Sequence, residues 1–110
     1  MPAMEWYGEL ELRYRARVQA ASANLDRSLA SGRPAGRLDF VKNSTPRLNE
    51  FRITKAGGSP PHLRMLGLMK RGIFWAAIGV KKKNDELRRQ DIEAAQRVAV
   101  EWLKAGGGMQ

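Results

Sequence analysis

The sequence predicts one α+β domain: an N-terminal helix or helix pair, a three-stranded antiparallel sheet and a C-terminal helix. Three observations predict it. Apolar residues recur at steps of three and four from residue 6 to residue 29. The pattern changes to alternation and short apolar runs between residues 48 and 80, and helical spacing returns from residue 87 to residue 103. With 110 residues the chain has room for a single hydrophobic core, so residues 1–110 are read as one domain.

In the first segment Trp6, Leu10, Tyr14, Val18, Ala21, Leu25 and Leu29 share one helical face, and Arg13, Arg15, Arg17 and Arg27 with Glu9 and Glu11 form a solvated opposite face. Ser31-Gly32 followed by Pro34 ends the helix; a break into two helices near residues 20–24 is the alternative. Residues 32–46, rich in Gly, Pro, Ser, Thr and Asn, read as a connection, with residues 38–41 apolar enough to pack against the core. From Leu48 to Ile53 the chain alternates, which puts Phe51 and Ile53 on one face of a strand and Glu50 and Arg52 on the other. After a Gly/Ser/Pro break at residues 56–61, residues 62–69 and 73–80 are two more strands. Lys70-Arg71-Gly72 joins them, with glycine where a hairpin needs positive φ. Asn84 is placed to cap the last helix, with Asp85 and Glu86 in its first turn. Its apolar stripe is Leu87, Ile92, Ala95, Ala99, Trp102 and Leu103, and the glycines at 106–108 leave residues 105–110 as an expected flexible tail. Helices on one face of the sheet are expected to leave the other available.

Twenty Lys and Arg against eleven Asp and Glu give a net charge of +9, a field that attracts phosphate backbones, anionic membrane surfaces or acidic proteins. The absence of cysteine excludes disulfides, thiolate metal sites and cysteine nucleophiles, and one histidine argues against a zinc cluster. There is no nucleotide-binding glycine loop, paired-carboxylate motif or nucleophile elbow, so neither metal nor cofactor is expected. Residues 1–6 lack the basic and apolar regions of a secretory leader, and no apolar run approaches the roughly 18 residues of a membrane span. A cytoplasmic location away from membranes is the expectation.

Arg52 shares its strand face with Glu50, and Arg64 sits between Leu63 and Met65, where a charge inside an apolar strand must reach solvent or a partner. The two arginines either meet on the uncovered face, or one of them pairs with Glu50 across the strands. Lys81, Lys82 and Lys83 lie where the third strand gives way to the last helix, and beside two arginines they complete a cationic pocket of phosphate size. His62, the one histidine, stands at a strand entrance, where an imidazole can shuttle protons. Trp75 reads as core or as a platform for a base.

The segments Leu48-Asn49-Glu50-Phe51-Arg52-Ile53, Leu63-Arg64-Met65-Leu66, Gly72-Ile73-Phe74-Trp75-Ala76-Ala77-Ile78-Gly79-Val80-Lys81-Lys82-Lys83 and Ile92-Glu93-Ala94-Ala95 together resemble the HigB-like, phage-associated branch of the RelE/ParE toxins of type II toxin-antitoxin systems. The resemblance runs from about residue 38 to the end, two-thirds of the chain. It implies a RelE-like fold whose opening strand is short or absent here, because only residues 2–7 precede or begin the helix.

The resemblance further implies a ribosome-dependent endoribonuclease that inhibits translation by cutting mRNA without a metal, through attack of a ribose 2′-OH on the adjacent phosphate. Arg52 and Arg64 would then stabilise the transition state, and Lys82 and Lys83 would contribute charge or proton transfer. Lys42, Lys81, His62 and Arg71 are the accompanying RNA-binding candidates. The implied partners are mRNA, the ribosome and a cognate antitoxin, often of the helix-turn-helix type, that covers the basic face. Leu63 stands where the family usually has Tyr, and Asn84-Asp85-Glu86-Leu87 departs from its usual run, so no general acid and base pair is evident. Two alternatives stay open: a non-catalytic protein of the same fold that binds a protein target such as gyrase, and a basic nucleic-acid-binding module.

Overall fold

In the computed structural model, which describes residues 2–32, 37–42, 44–54, 58–84 and 86–106, the N-terminal apolar run folds as two helices, α1 (Ala3–Glu9) and α2 (Leu12–Ala30). The break falls at Leu10 and Glu11, both extended, and not at residues 20–24, where alanines at 20, 21 and 23 carry the helix through. Arg15 secures the joint by donating from its guanidinium to the carbonyls of Leu10 (2.8 Å) and Gly8 (3.2 Å), which the end of α1 leaves without helical partners. The apolar spacing survives the break: Trp6, Leu10, Tyr14, Val18 and Leu25 are all buried in one cluster, with Ala21 and Leu29 packed against it.

Among the described residues the sheet has four strands, one more than the sequence predicts: β1 (Leu38–Phe40), β2 (Asn49–Arg52), β3 (His62–Lys70) and β4 (Ile73–Lys82), antiparallel and in sequential order. The added strand, β1, is the apolar part of the expected connection. It has three residues and pairs Leu38 with Phe51 and Phe40 with Asn49, too short a run to show a period of two. Strand β4 takes in Lys81 and Lys82, two residues beyond the expected end. The β3–β4 hairpin turns on Arg71 and Gly72, whose φ angles of 52° and 76° are the paired positive values of a type I′ turn. Among the described residues, the only pairing ahead of α1 is a single bridge between Pro2 and Ile78.

The last helix, α3 (Arg89–Lys104), starts later than expected. Asn84 does not cap it; its side-chain oxygen accepts instead from the Glu86 N–H (3.4 Å), Asp85 lies outside the described residues, and Asp91 is the acid in the first turn. The helix ends at Lys104, and the expected tail is described only as far as Gly106.

Helices cover both faces of the sheet, against the expectation of one. On one face α1 and α2 pack on Phe51, Ile53, Leu63 and Met65; on the other, Ala95 and Ala99 of α3 pack with Leu48, Leu66, Leu68 and Ile78. The two clusters follow from strand alternation, since side chains at successive positions serve opposite faces. On the α1 side the indole of Trp6 lies directly on Gly79, where a Cβ would come within 2.0 Å of the ring. Among the described residues, no helix is long and apolar enough to cross a membrane.

Candidate functional site

Alternation along β2, β3 and β4 sends Glu50 and Arg52, His62 and Arg64, and Lys82 to the same face as Leu48, Leu66 and Ile78, the face that α3 covers. The register makes them neighbours: Arg52 lies directly across from Arg64, and His62 directly across from Lys82. The small side chains of α3 sit over the apolar middle of the sheet, and the charged end projects past the helix start, where Asn84, Glu86 and Leu87 fold over it. The result is a tight recess lined by Glu50, His62, Arg64, Lys82, Asn84, Glu86 and Leu87, with no room for even a water molecule as it stands.

Each cation in the recess is matched by an anion. Glu50 lies between the arginines, one carboxylate oxygen 3.8 Å from Arg52 and the other 3.7 Å from Arg64. Arg52 also pairs with Asp39 of β1. Arg64, only 2% exposed, donates from its guanidinium to the carbonyls of Thr54 (2.7 Å) and Leu63 (3.1 Å). The Lys82 ammonium is buried, lies 3.0 Å from Asp91 and donates to the Glu86 carbonyl. A charge taken out of water is tolerated only with this kind of pairing. Arg52, Arg64 and Lys82 thus face Asp39, Glu50 and Asp91, and the recess itself carries little of the protein's excess positive charge.

The structure thus gathers Arg52, Arg64, His62 and Lys82, and it separates the other candidates. Lys83 is exposed on the bend just past β4. Lys81 points to the opposite face, its ammonium 4.8 Å from the centre of the Tyr14 ring. Lys42 follows the end of β1 that pairs with Asn49, away from the Arg52 end of β2. Arg71 is at the hairpin tip, the whole nine-residue length of β3, roughly 27 Å, from His62. Trp75 is stacked on Trp102 of α3, with ring centres 4.2 Å apart and planes 13° from parallel, so its face is occupied.

Two acids of the site carried no signal of their own in the sequence. Asp91 comes nine residues after Lys82, and only the fold brings them together. Asp39 sits on the strand that was not expected. Glu50, by contrast, shares a face with Arg52 by simple alternation. Among the described residues no group of three or more His, Cys, Asp or Glu side chains could hold a metal ion. No family model matches the chain, and neither the curated proteins nor the solved structures contain a match to it.

Proposed function

We propose that the protein is the toxin of a type II toxin-antitoxin pair, a ribosome-dependent endoribonuclease that acts on mRNA in the cytoplasm. One observation carries the reading: Arg52, Arg64, His62 and Lys82 project from one face of three adjacent strands at one end of the sheet. The likeness of the surrounding motifs to HigB-like toxins and the net charge of +9 support it.

In this reading a phosphate of the bound strand takes the place that Glu50 holds between Arg52 and Arg64. The two guanidiniums then stabilise the charge that builds on the phosphorus oxygens as the 2′-oxygen attacks. Glu50, released by that exchange, is the carboxylate beside the site that accepts the 2′-OH proton, and Lys82 donates to the departing 5′-oxygen. The O2′–P bond forms as the P–O5′ bond breaks, leaving a 2′,3′-cyclic phosphate and a 5′-hydroxyl. The recess is too tight for a nucleotide as it stands, so entry requires Glu86 and Asp91 to move off Lys82.

A second reading is favoured by a specific contact. Glu50 bridges both arginines, which is the arrangement expected of a non-catalytic protein of this fold that binds a protein target such as gyrase. The readings separate in a reconstituted translation reaction programmed with a defined mRNA, comparing wild type with Arg52→Gln and Lys82→Gln after each variant is shown to be folded. New mRNA 5′ ends that need ribosomes and vanish in the variants support the nuclease. Unaltered mRNA and unimpaired translation with folded wild-type protein move the assignment to the second reading.

A further inference from the structure

Because the recess is balanced in charge, the cations that give the protein its excess lie elsewhere, and three of them converge. The guanidinium carbons of Arg13 and Arg17 on α2 lie 4.6 and 5.6 Å from the centre of the Tyr14 ring, and the Lys81 ammonium of β4 lies 4.8 Å from it. All three residues are exposed, whereas Tyr14 is buried in the core beneath them. Cations that all lie so close to one centroid are within about 10 Å of each other, one Debye length at 0.1 M salt, so they repel one another and act on solution as a single centre. Arg13 and Arg17 also stand four apart on one helix, a like-charge spacing that does nothing for the helix. Among the described residues, the one carboxylate the cluster contacts is Glu11, 3.0 Å from Arg13 in an exposed pair that salt screens. The aromatic ring holds the cations in place through its negative face while leaving their charge unneutralised.

We propose that Arg13, Arg17 and Lys81 form a docking site for the phosphate groups of an RNA strand, separate from the recess and on the other side of the sheet. The inference rests on the reading of the protein as one that acts on RNA. Its geometry supplies the continuity: Lys81, Lys82 and Lys83 are consecutive at the end of β4, so a strand held at the Tyr14 cluster runs over that end towards the mouth of the recess. An anionic membrane is the poorer occupant, because the apolar face of α2 is buried against the sheet and is not free to enter lipid.

The test uses the full-length protein and a fluorescein-labelled 20-nucleotide single-stranded RNA, with affinity read by anisotropy across a salt series. Arg13→Gln/Arg17→Gln/Lys81→Gln is compared with Arg89→Gln/Arg97→Gln/Lys104→Gln, which removes the same charge from the exposed side of α3. The first variant is expected to bind roughly tenfold more weakly at low salt, with a log–log salt slope shallower by about 2, as the loss of three single-strand phosphate contacts requires. The second is expected to stay close to wild type. Replacement by Arg13→Lys/Arg17→Lys, which keeps the charge and the fold, should retain most of the affinity.

Equal weakening in the two triple variants, or none in the first, overturns the docking site. Translation inhibition by wild-type protein, measured in parallel, then shows whether the RNA reading of the recess survives that failure. Failure of wild type to bind the RNA at all also overturns the site. Binding of phosphatidylserine vesicles in place of RNA, lost in the first variant, would reassign the cluster to a membrane surface and overturn it as well.

Discussion

The recess under α3 and the cluster around Tyr14 are built from the same kinds of side chain at the same end of the sheet, and they differ in one respect. In the recess, Arg64 and Lys82 are out of water and each is held by a carboxylate, with backbone carbonyls taking further donors. At the Tyr14 cluster Arg13, Arg17 and Lys81 stay in water and rest on an aromatic ring, and among the described residues only Arg13 of the three has a carboxylate partner, Glu11. Burial therefore turns charge into an element of architecture, and exposure leaves it available to a ligand. In the proposed reading the recess supplies the geometry of the reaction and the exposed cluster the affinity.

The contrast can be broken most directly at Asp91. Asp91→Ala leaves the Lys82 ammonium buried without its carboxylate and should cost about 3–5 kcal/mol in urea unfolding, whereas the double replacement Lys82→Met/Asp91→Leu should recover most of that loss. If the single and double variants are equally destabilised, the pair is not acting as a buried charge pair. A smaller effect is expected on the opposite face, where Gly79→Ala pushes a methyl into the Trp6 ring and should cost about 1–3 kcal/mol, read as a lowered unfolding midpoint with a blue- or red-shifted tryptophan emission. The smallest belongs to the exposed cluster: Arg17→Gln should change stability by no more than about 0.5 kcal/mol while weakening RNA binding. A large loss of stability in Arg17→Gln would make that cluster structural and erase the distinction between the two regions.

Much of the frame was legible because amphipathic spacing survives local irregularity. Trp6, Leu10, Tyr14, Val18 and Leu25 stay on one face although the helix breaks after Glu9, since the packing surface they share is one sheet. The alternation of Phe51 and Ile53 with Glu50 and Arg52 likewise puts Glu50 of the recess and its partner Arg52 on the right face. What escaped was short or depended on contacts distant in sequence. Strand β1 is three residues long, and its pairing with β2 gives it a structure that its own composition does not announce. A capping residue and two acids point to a start of α3 at Asn84, but Lys82 draws the Glu86 carbonyl and Asp91 to itself, and the helix begins only at Arg89, after an extended Arg88.

By itself the sequence determined an α+β chain with N-terminal and C-terminal helices around an antiparallel sheet, and a charge of +9, because periodicity and composition act over a few neighbouring residues. Only the tertiary structure decided that helices cover both faces, that Lys81 and Lys82 part to opposite sides, and that Arg64 and Lys82 meet Glu50 in one recess, with Arg52 paired to Glu50 and Lys82 to Asp91. Those outcomes depend on register and on the layer a helix joins, and both are set by burial of residues far apart in the chain.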